Sequence, residues 1–343
     1  MATNNRGHFS GTAAVVRSTP FACAPVMQLA SVLTPLSAEN LQLAAQCGVT
    51  DIVSRYPVGG MTQLRETRRL IESFGLKLSV VEGYLPIENI KVGADDGTEL
   101  QAVKNLLRDM AELGIPLLCY NFMAGTDWVR TQLDAPERGG AKTTAFRLTD
   151  VERARSLSQT SAKVDGAPIA APALWSHLER FLNNVVPVAE QCGVTLAMHP
   201  DDPPLPVFLG KDRIMNSVEN FEKLMALVPS RANKICFCQG TFAEMGVDIP
   251  AAIRRLGAHI RYVHFRDVRG RADDFIETFH DNGPTDMAAA IRAYREVGFT
   301  GCLRPDHVPQ LVGEDDGEPG YTMKGRLFAY GYIRGLLHAT EPR

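Results

Sequence analysis

Two stretches of the chain read almost alike: QCGVTDIVS, from Gln46 to Ser54, and QCGVTLAMH, from Gln191 to His199. In both, a charge-bearing amphipathic segment ends, a glycine follows, and a short apolar run begins. Glycine there suits the left-handed residue that closes a helix. An apolar run of about five residues, bounded by turn chemistry, reads as a strand buried on both faces. The phrase returns more loosely as SFGLKLSVVEG around Gly75, ELGIPLLCYN around Gly114, RLGAHIRYVHF around Gly257 and EVGFTGCLRPD around Gly298. VMQLASVL near Val26 and KICFC at Lys234 bring the candidate strands to eight. Helices are expected between them over 38–46, 63–74, 99–113, 174–191, 218–227, 249–256 and 287–297, with another over 324–337 after the last strand.

Strands that alternate with helices pair in parallel, because each crossover takes a helix's length of chain. Eight such units in 343 residues predict a closed (β/α)8 TIM barrel. The competing architecture is an open doubly wound sheet, but no glycine-rich phosphate loop follows the first strand. No clean linker divides the chain, so one barrel domain over 1–343 is expected, with an N-terminal extension over 1–20. Two connections are long, 122–172 and 266–284, and both follow the C-terminal ends of strands. Long connections in compact domains are commonly lids or mobile segments. The first is therefore a candidate lid, and its Ser/Thr-rich stretch SLSQTSAK a candidate mobile part.

Hydrophobic content of 45%, charged content of 22% and a net charge of −3 describe an ordinary globular chain. That balance gives no electrostatic case for nucleic acid or an anionic membrane. No apolar run approaches the roughly 20 residues that span a bilayer, and the opening MATNNRGHFS lacks the build of a secretory signal. Seven cysteines, mostly inside apolar runs, fit reduced thiols in a cytoplasmic protein better than a disulfide framework.

In a barrel of this kind reactive residues come from the C-terminal ends of strands. Counting six to eight residues past each glycine leads to Glu82, Asn121, His199, His264, and both Arg304 and Asp306. KICFC ends on Cys238. Proline cannot continue a ladder, so MHPDDPP stops its strand at the histidine and sets Asp201 and Asp202 just beyond. His199, Cys238, His264 and Asp306 then offer two imidazoles, a thiolate and a carboxylate to one divalent cation, although a lone strand histidine is more often a hydrogen-bonded core residue. The softness of Cys238 alone leans to zinc or ferrous iron. Cys236 competes as a ligand, but the pleat sets Cys238 nearer the mouth and leaves Cys236 as buried filler. Arg304 offers a planar fork for a carboxylate, and His307 a group that exchanges protons near neutral pH. Arg266 is either a second anion contact or a solvated arginine, and Tyr321 either a phenol over the mouth or a packing aromatic. Asp201 reads as a substrate or outer contact to the metal site.

Taken in order, HPDDPP, C-x-G at Cys238 to Gly240, VHFRDV, FHDNGPTDM, RPDH and PGY resemble the mannonate dehydratase family. CYNFMAGTDWVRTQL and SVVEGYLPIENIK resemble its middle strands, so the likeness runs from about Val80 to the C-terminus. The resemblance implies a xylose-isomerase-like barrel and a divalent metal, typically Mn2+, with Fe2+, Co2+ or Zn2+ as substitutes. It also implies dehydration of D-mannonate to 2-keto-3-deoxy-D-gluconate in hexuronate catabolism, by a homo-oligomer such as a dimer or tetramer. Carried over, it makes His199, Cys238, His264 and Asp306 the metal ligands, and Arg304 a substrate contact. Asp306, His307 and Tyr321 would handle protons. The chain departs from the family at Val308, at Gln239 and over SRYPVGGMTQL from Ser54, positions expected to shape the sugar pocket. Two other classes stand beside this reading: a metal-dependent sugar isomerase, epimerase or other aldonate dehydratase, and a non-catalytic binding barrel.

Overall fold

The computed structural model describes residues 27–157 and 167–341. The expected N-terminal extension over 1–20 lies outside the described residues, as does the Ser/Thr-rich stretch after Leu157.

Eight strands close into a barrel: β1 (Gln28–Val32), β2 (Asp51–Ser54), β3 (Lys77–Glu82), β4 (Leu117–Tyr120), β5 (Thr195–Met198), β6 (Asn233–Cys238), β7 (Ile260–Phe265) and β8 (Cys302–Pro305). Each pairs in parallel with its neighbours, and β8 closes onto β1. The helices that follow are α1 (Ala38–Gln46), α2 (Gly60–Glu72), α3 (Thr98–Glu112), α4 (Ala171–Cys192), α5 (Val218–Leu227), α6 (Ile249–Leu256), α7 (Met287–Glu296) and α8 (Met323–Ala339). Four of them start where a side chain accepts a first-turn amide: Ser37, Ser217, Asp248 and Asp286. Such caps satisfy donors that have no partner within the helix.

Five of the repeat's six glycines hold the expected left-handed conformation, with φ between +64° and +80° at Gly48, Gly75, Gly114, Gly193 and Gly298. Gly257 does not, at φ −50°. There the demand is space, because a Cβ would run into the Val297 side chain at the end of α7.

Two apolar layers follow from the strand pleat. Outward residues such as Ile52, Leu118, Leu196, Phe237 and Val263 pack against the helices in the main core. Inward residues form a second cluster that includes Val53, Val80, Cys119, Ala197, Cys236, Tyr262 and Cys302. Side chains two apart share a face of a strand. The next inward position on each of these strands is therefore Arg55, Glu82, Asn121, His199, Cys238, His264 and Arg304.

The described parts of the two long connections carry strands. Gln132–Pro136 and Lys142–Arg147 from the first pair antiparallel, and Asp274–Glu277 and Val268–Arg271 from the second extend them into one four-stranded sheet. Among the described residues no helix is long and apolar enough to cross a membrane.

Candidate active site

The inward positions open into a cleft of about 560 Å³, its open mouth included. Its lining includes Arg55, Glu82, Asn121, Trp128, His199, His264, Arg304, Asp306, His307 and Tyr321.

At its base the donor atoms of His199, Cys238 and His264 lie within 4.8 Å of one another. Each is prepared by a neighbour. The Pro200 carbonyl, an acceptor only, sits 2.7 Å from His199 Nδ1, which fixes a proton there and leaves Nε2 to face Cys238. Glu82 takes His264 Nε2 at 3.1 Å, and Arg304 lies 3.4 Å from Nδ1. His264 Nδ1 is 3.8 Å from Asp306 Oδ1, and Cys238 Sγ is 3.5 Å from Asp306 Oδ2. Burial opposes ionisation of Cys238, but the Arg266 guanidinium and the His199 imidazole outweigh it and hold the thiol at about 5. The same thiolate raises His199 to about 9 against its burial. A soft anionic sulfur, two imidazoles and an adjoining carboxylate suit a divalent transition-metal ion. Cys119, Cys236 and His264 form a second trio deeper in the barrel, packed among Val80, Ala197 and Tyr262.

His307 stands beside this centre. Its Nδ1 donates to Glu277 Oε1 at 2.7 Å, while Nε2 lies 3.7 Å from Asp306. Trp128 stacks on it, with ring centres 4.5 Å apart, and Tyr321 meets both rings edge-on at 5.5 Å and 5.3 Å. Trp128 has φ +38°, a strained conformation for an aromatic residue, and its buried indole N–H has no protein partner among the described residues.

The remaining expected contacts divide. Asn121 lines the cleft, with Oδ1 accepting from Lys91 and Nδ2 donating to Asp127. Arg304 lines it too, but protein acceptors occupy its fork: Glu82 at 2.7 Å, Asp306 at 2.8 Å and the Tyr262 hydroxyl at 2.8 Å. Arg266 is not a cleft residue. It is buried beneath the rim and paired with Asp306 at 2.7 Å, Asp202 at 3.1 Å and Glu244 at 3.3 Å. Gly240 makes its place, since a Cβ there would collide with the guanidinium. Asp201 also turns away, accepting the Met215 amide at 2.7 Å, and its neighbour Asp202 reaches the cleft instead. The departures at Gln239 and Val308 do not line the cleft. Gln239 is buried against Arg266 and Met287, and Val308 bridges to Gly320.

Three contributors escaped the sequence reading. Glu277 and Arg130 come from the long connections, where no periodicity marks them. Arg130 grips Asp202 at 2.6 Å and Glu277 at 2.6 Å. Arg55 was legible, because it stands seven residues past Gly48, at the spacing that locates Glu82 from Gly75.

The family model for D-mannonate dehydratase (UxuA) matches residues 34–343. A mannonate dehydratase of Oceanobacillus iheyensis is 34% identical over 83% of this chain and 88% of its own length. Mannonate dehydratase 2 of Halalkalibacterium halodurans is 32% identical over 88% and 94%. The crystal structure of a mannonate dehydratase from Streptococcus suis superposes with a TM-score of 0.80 at 29% identity, over 92% of this chain and 93% of that one. A xylose isomerase domain protein from Planctomyces limnophilus, with a TM-score of 0.58 and 13% identity over 91% and 96%, shares the barrel fold. Together with the strand-end residues assembled above, the match over 34–343 places the chain in the D-mannonate dehydratase family.

Proposed function

We infer that the protein is a hydro-lyase that converts D-mannonate into 2-keto-3-deoxy-D-gluconate and water. The observation that carries this reading is the meeting of the His199, Cys238 and His264 donors within 4.8 Å at the base of a cleft walled by His307 and Tyr321.

D-Mannonate bears a carboxylate at C1, a hydrogen on C2 and a hydroxyl on C3. Loss of the C2 hydrogen as a proton leaves an electron pair that forms the C2–C3 double bond as the C3–O bond breaks. The departing hydroxyl takes a proton and leaves as water, and the enol tautomerises to the 2-keto acid. Glu277 holds His307 Nδ1–H, so Nε2 carries the lone pair that takes the C2 proton. The Tyr321 phenol donates to the leaving hydroxyl. Trp128, stacked on His307 and edge-on to Tyr321, keeps both groups in register and shields them from water. His199, Cys238, His264 and Asp306 would hold the divalent ion, which when bound supplies Lewis-acid stabilisation of charge on the carboxylate.

The reading extends to Mn2+ as the working ion, hexuronate catabolism as the setting and a homo-oligomeric enzyme, all supported by the family. The cytoplasm is supported by six described cysteines that are all free thiols. The 122–172 insertion is the candidate lid over the cleft, a role supported by Trp128, which lines the cleft and stacks on His307. A panel of hexonates incubated with manganese-loaded protein tests the function. A 2-keto-3-deoxy product from D-mannonate is expected; mass-conserving isomerisation, or no product from any hexonate, would overturn it.

A further inference from the structure

We propose that Arg55 is the residue that receives the substrate's carboxylate, and so selects aldonic acids over neutral polyols of the same carbon skeleton. The proposal rests on the dehydratase reading and names a specificity residue within that same cleft.

Two arginines line the cleft, and they differ in what they have left to give. Arg304 has protein acceptors on all three of its nitrogens, from Glu82, Tyr262, Asp306 and the Pro305 carbonyl. Its guanidinium is buried, and its charge is already balanced by two carboxylates. Arg55 has one partner among the described residues, Glu82 Oε1 at 3.2 Å from NH1, and 26% of its side chain remains exposed. Its other donors are left for a ligand. Two rings hold the guanidinium in place, Tyr84 at 5.0 Å and Tyr321 at 5.2 Å. A flexible cation held between aromatic faces loses little further freedom when an anion arrives.

The position also fits the chemistry. Glu82 offers Oε1 to Arg55 and Oε2 to His264, so one carboxylate bridges the free arginine and the candidate metal centre. Arg55 stands over the Tyr321 ring, next to the phenol assigned to the leaving hydroxyl at C3. A carboxylate two carbons from that hydroxyl falls between these groups. A planar fork meets a carboxylate with two parallel N–H···O bonds, which a hydroxymethyl group cannot reproduce.

Calorimetric titration of wild type, Arg55→Lys and Arg55→Gln, each with verified metal content, tests this. The ligands are D-mannonate and D-mannitol, which share a skeleton and differ only at C1, with D-gluconate and D-glucitol as a second pair. Wild type is expected to prefer the acid in at least one pair by tenfold or more. Arg55→Gln is expected to weaken that acid about 10- to 100-fold and to leave its polyol within about twofold. Arg55→Lys should fall between. Equal weakening of acid and polyol, no weakening of either, or no preference for an acid in wild type overturns the assignment. Product analysis on wild type keeps the two readings apart. A protein that binds the acid through Arg55 and yields no 2-keto-3-deoxy product defeats the proposed function and leaves the carboxylate assignment standing.

Discussion

The rim of the barrel and the roof above it supply the same cleft by different means. Rim residues sit at the ends of periodic strands, and all but Cys238 are placed by a glycine six to eight residues before them as well as by the pleat. Roof residues sit in connections with no repeat. Trp128 lines the cleft, and Arg130 and Glu277 brace Asp202 and His307 from behind it, where the 122–172 insertion pairs with the loop after β7 in one antiparallel sheet. Arg130 bonds to residues 72 and 147 positions away. Periodic structure thus fixes chemistry by counting, whereas the roof fixes it by pairing over distances that no local pattern records.

The sharpest way to break this contrast is to remove the rim's donors. His199→Ala and Cys238→Ala should lose bound metal and activity together, by about 10³-fold or more in kcat. Elemental analysis alongside turnover checks it, and a full equivalent of metal in His199→Ala would sink the ligand assignment. His307→Ala should keep its metal and lose about 10²- to 10⁴-fold in kcat, the usual share of a positioned proton-transfer group.

Breaking the roof should act on stability first. Arg130→Met leaves Asp202 and Glu277 buried with one cation fewer, which costs about 3–5 kcal/mol in urea unfolding. It should also lower kcat with metal retained, because Glu277 orients His307. An Arg130→Met protein as stable as wild type would show that the roof is only draped over the rim.

Acid sharpens the same point more gently. Burial raises both Asp202 and Glu277, but for Asp202 the guanidinium groups of Arg130 and Arg266 outweigh it, and for Glu277 those of Arg266 and Arg130 with His307. Both carboxyls therefore lie below their unfolded values, near 4. Their contribution to stability is complete above the unfolded value and fades as pH falls through the folded one. Urea midpoints should drop steeply as pH falls below about 4 in wild type and less steeply in Arg130→Met. A pH-independent midpoint would contradict the ion-pair account.

The smallest effect is expected where the chain departs from its family but not at the cleft. Gln239→Thr should cost about 1–2 kcal/mol through lost buried hydrogen bonds and leave the ranking of hexonates unchanged. A changed ranking would mean that packing beneath the rim reaches the substrate.

These outcomes track what was legible beforehand. Six of the eight strands could be read from the glycine phrase and the other two from apolar runs without it, with boundaries shifted by a few residues. Gly257 broke the pattern because a close approach, rather than a left-handed turn, demands glycine there. Every metal-ligand candidate lay at a countable strand end. Arg266 and Asp201 were placed a step too far into the cleft, since counting gives distance past a strand but not the direction a loop then takes. Asp201 turned toward Met215, while Asp202 met Arg130, a residue no count could have supplied.

Glu82 has a consequence of its own. It accepts from Arg55, Tyr262, His264 and Arg304, which belong to the second, seventh and eighth strands or their ends. Four groups leaning on one carboxylate cannot be altered one at a time with additive results. An engineer seeking a new sugar acid would have to redesign these strands as a single coupled unit, with the third strand as its hub.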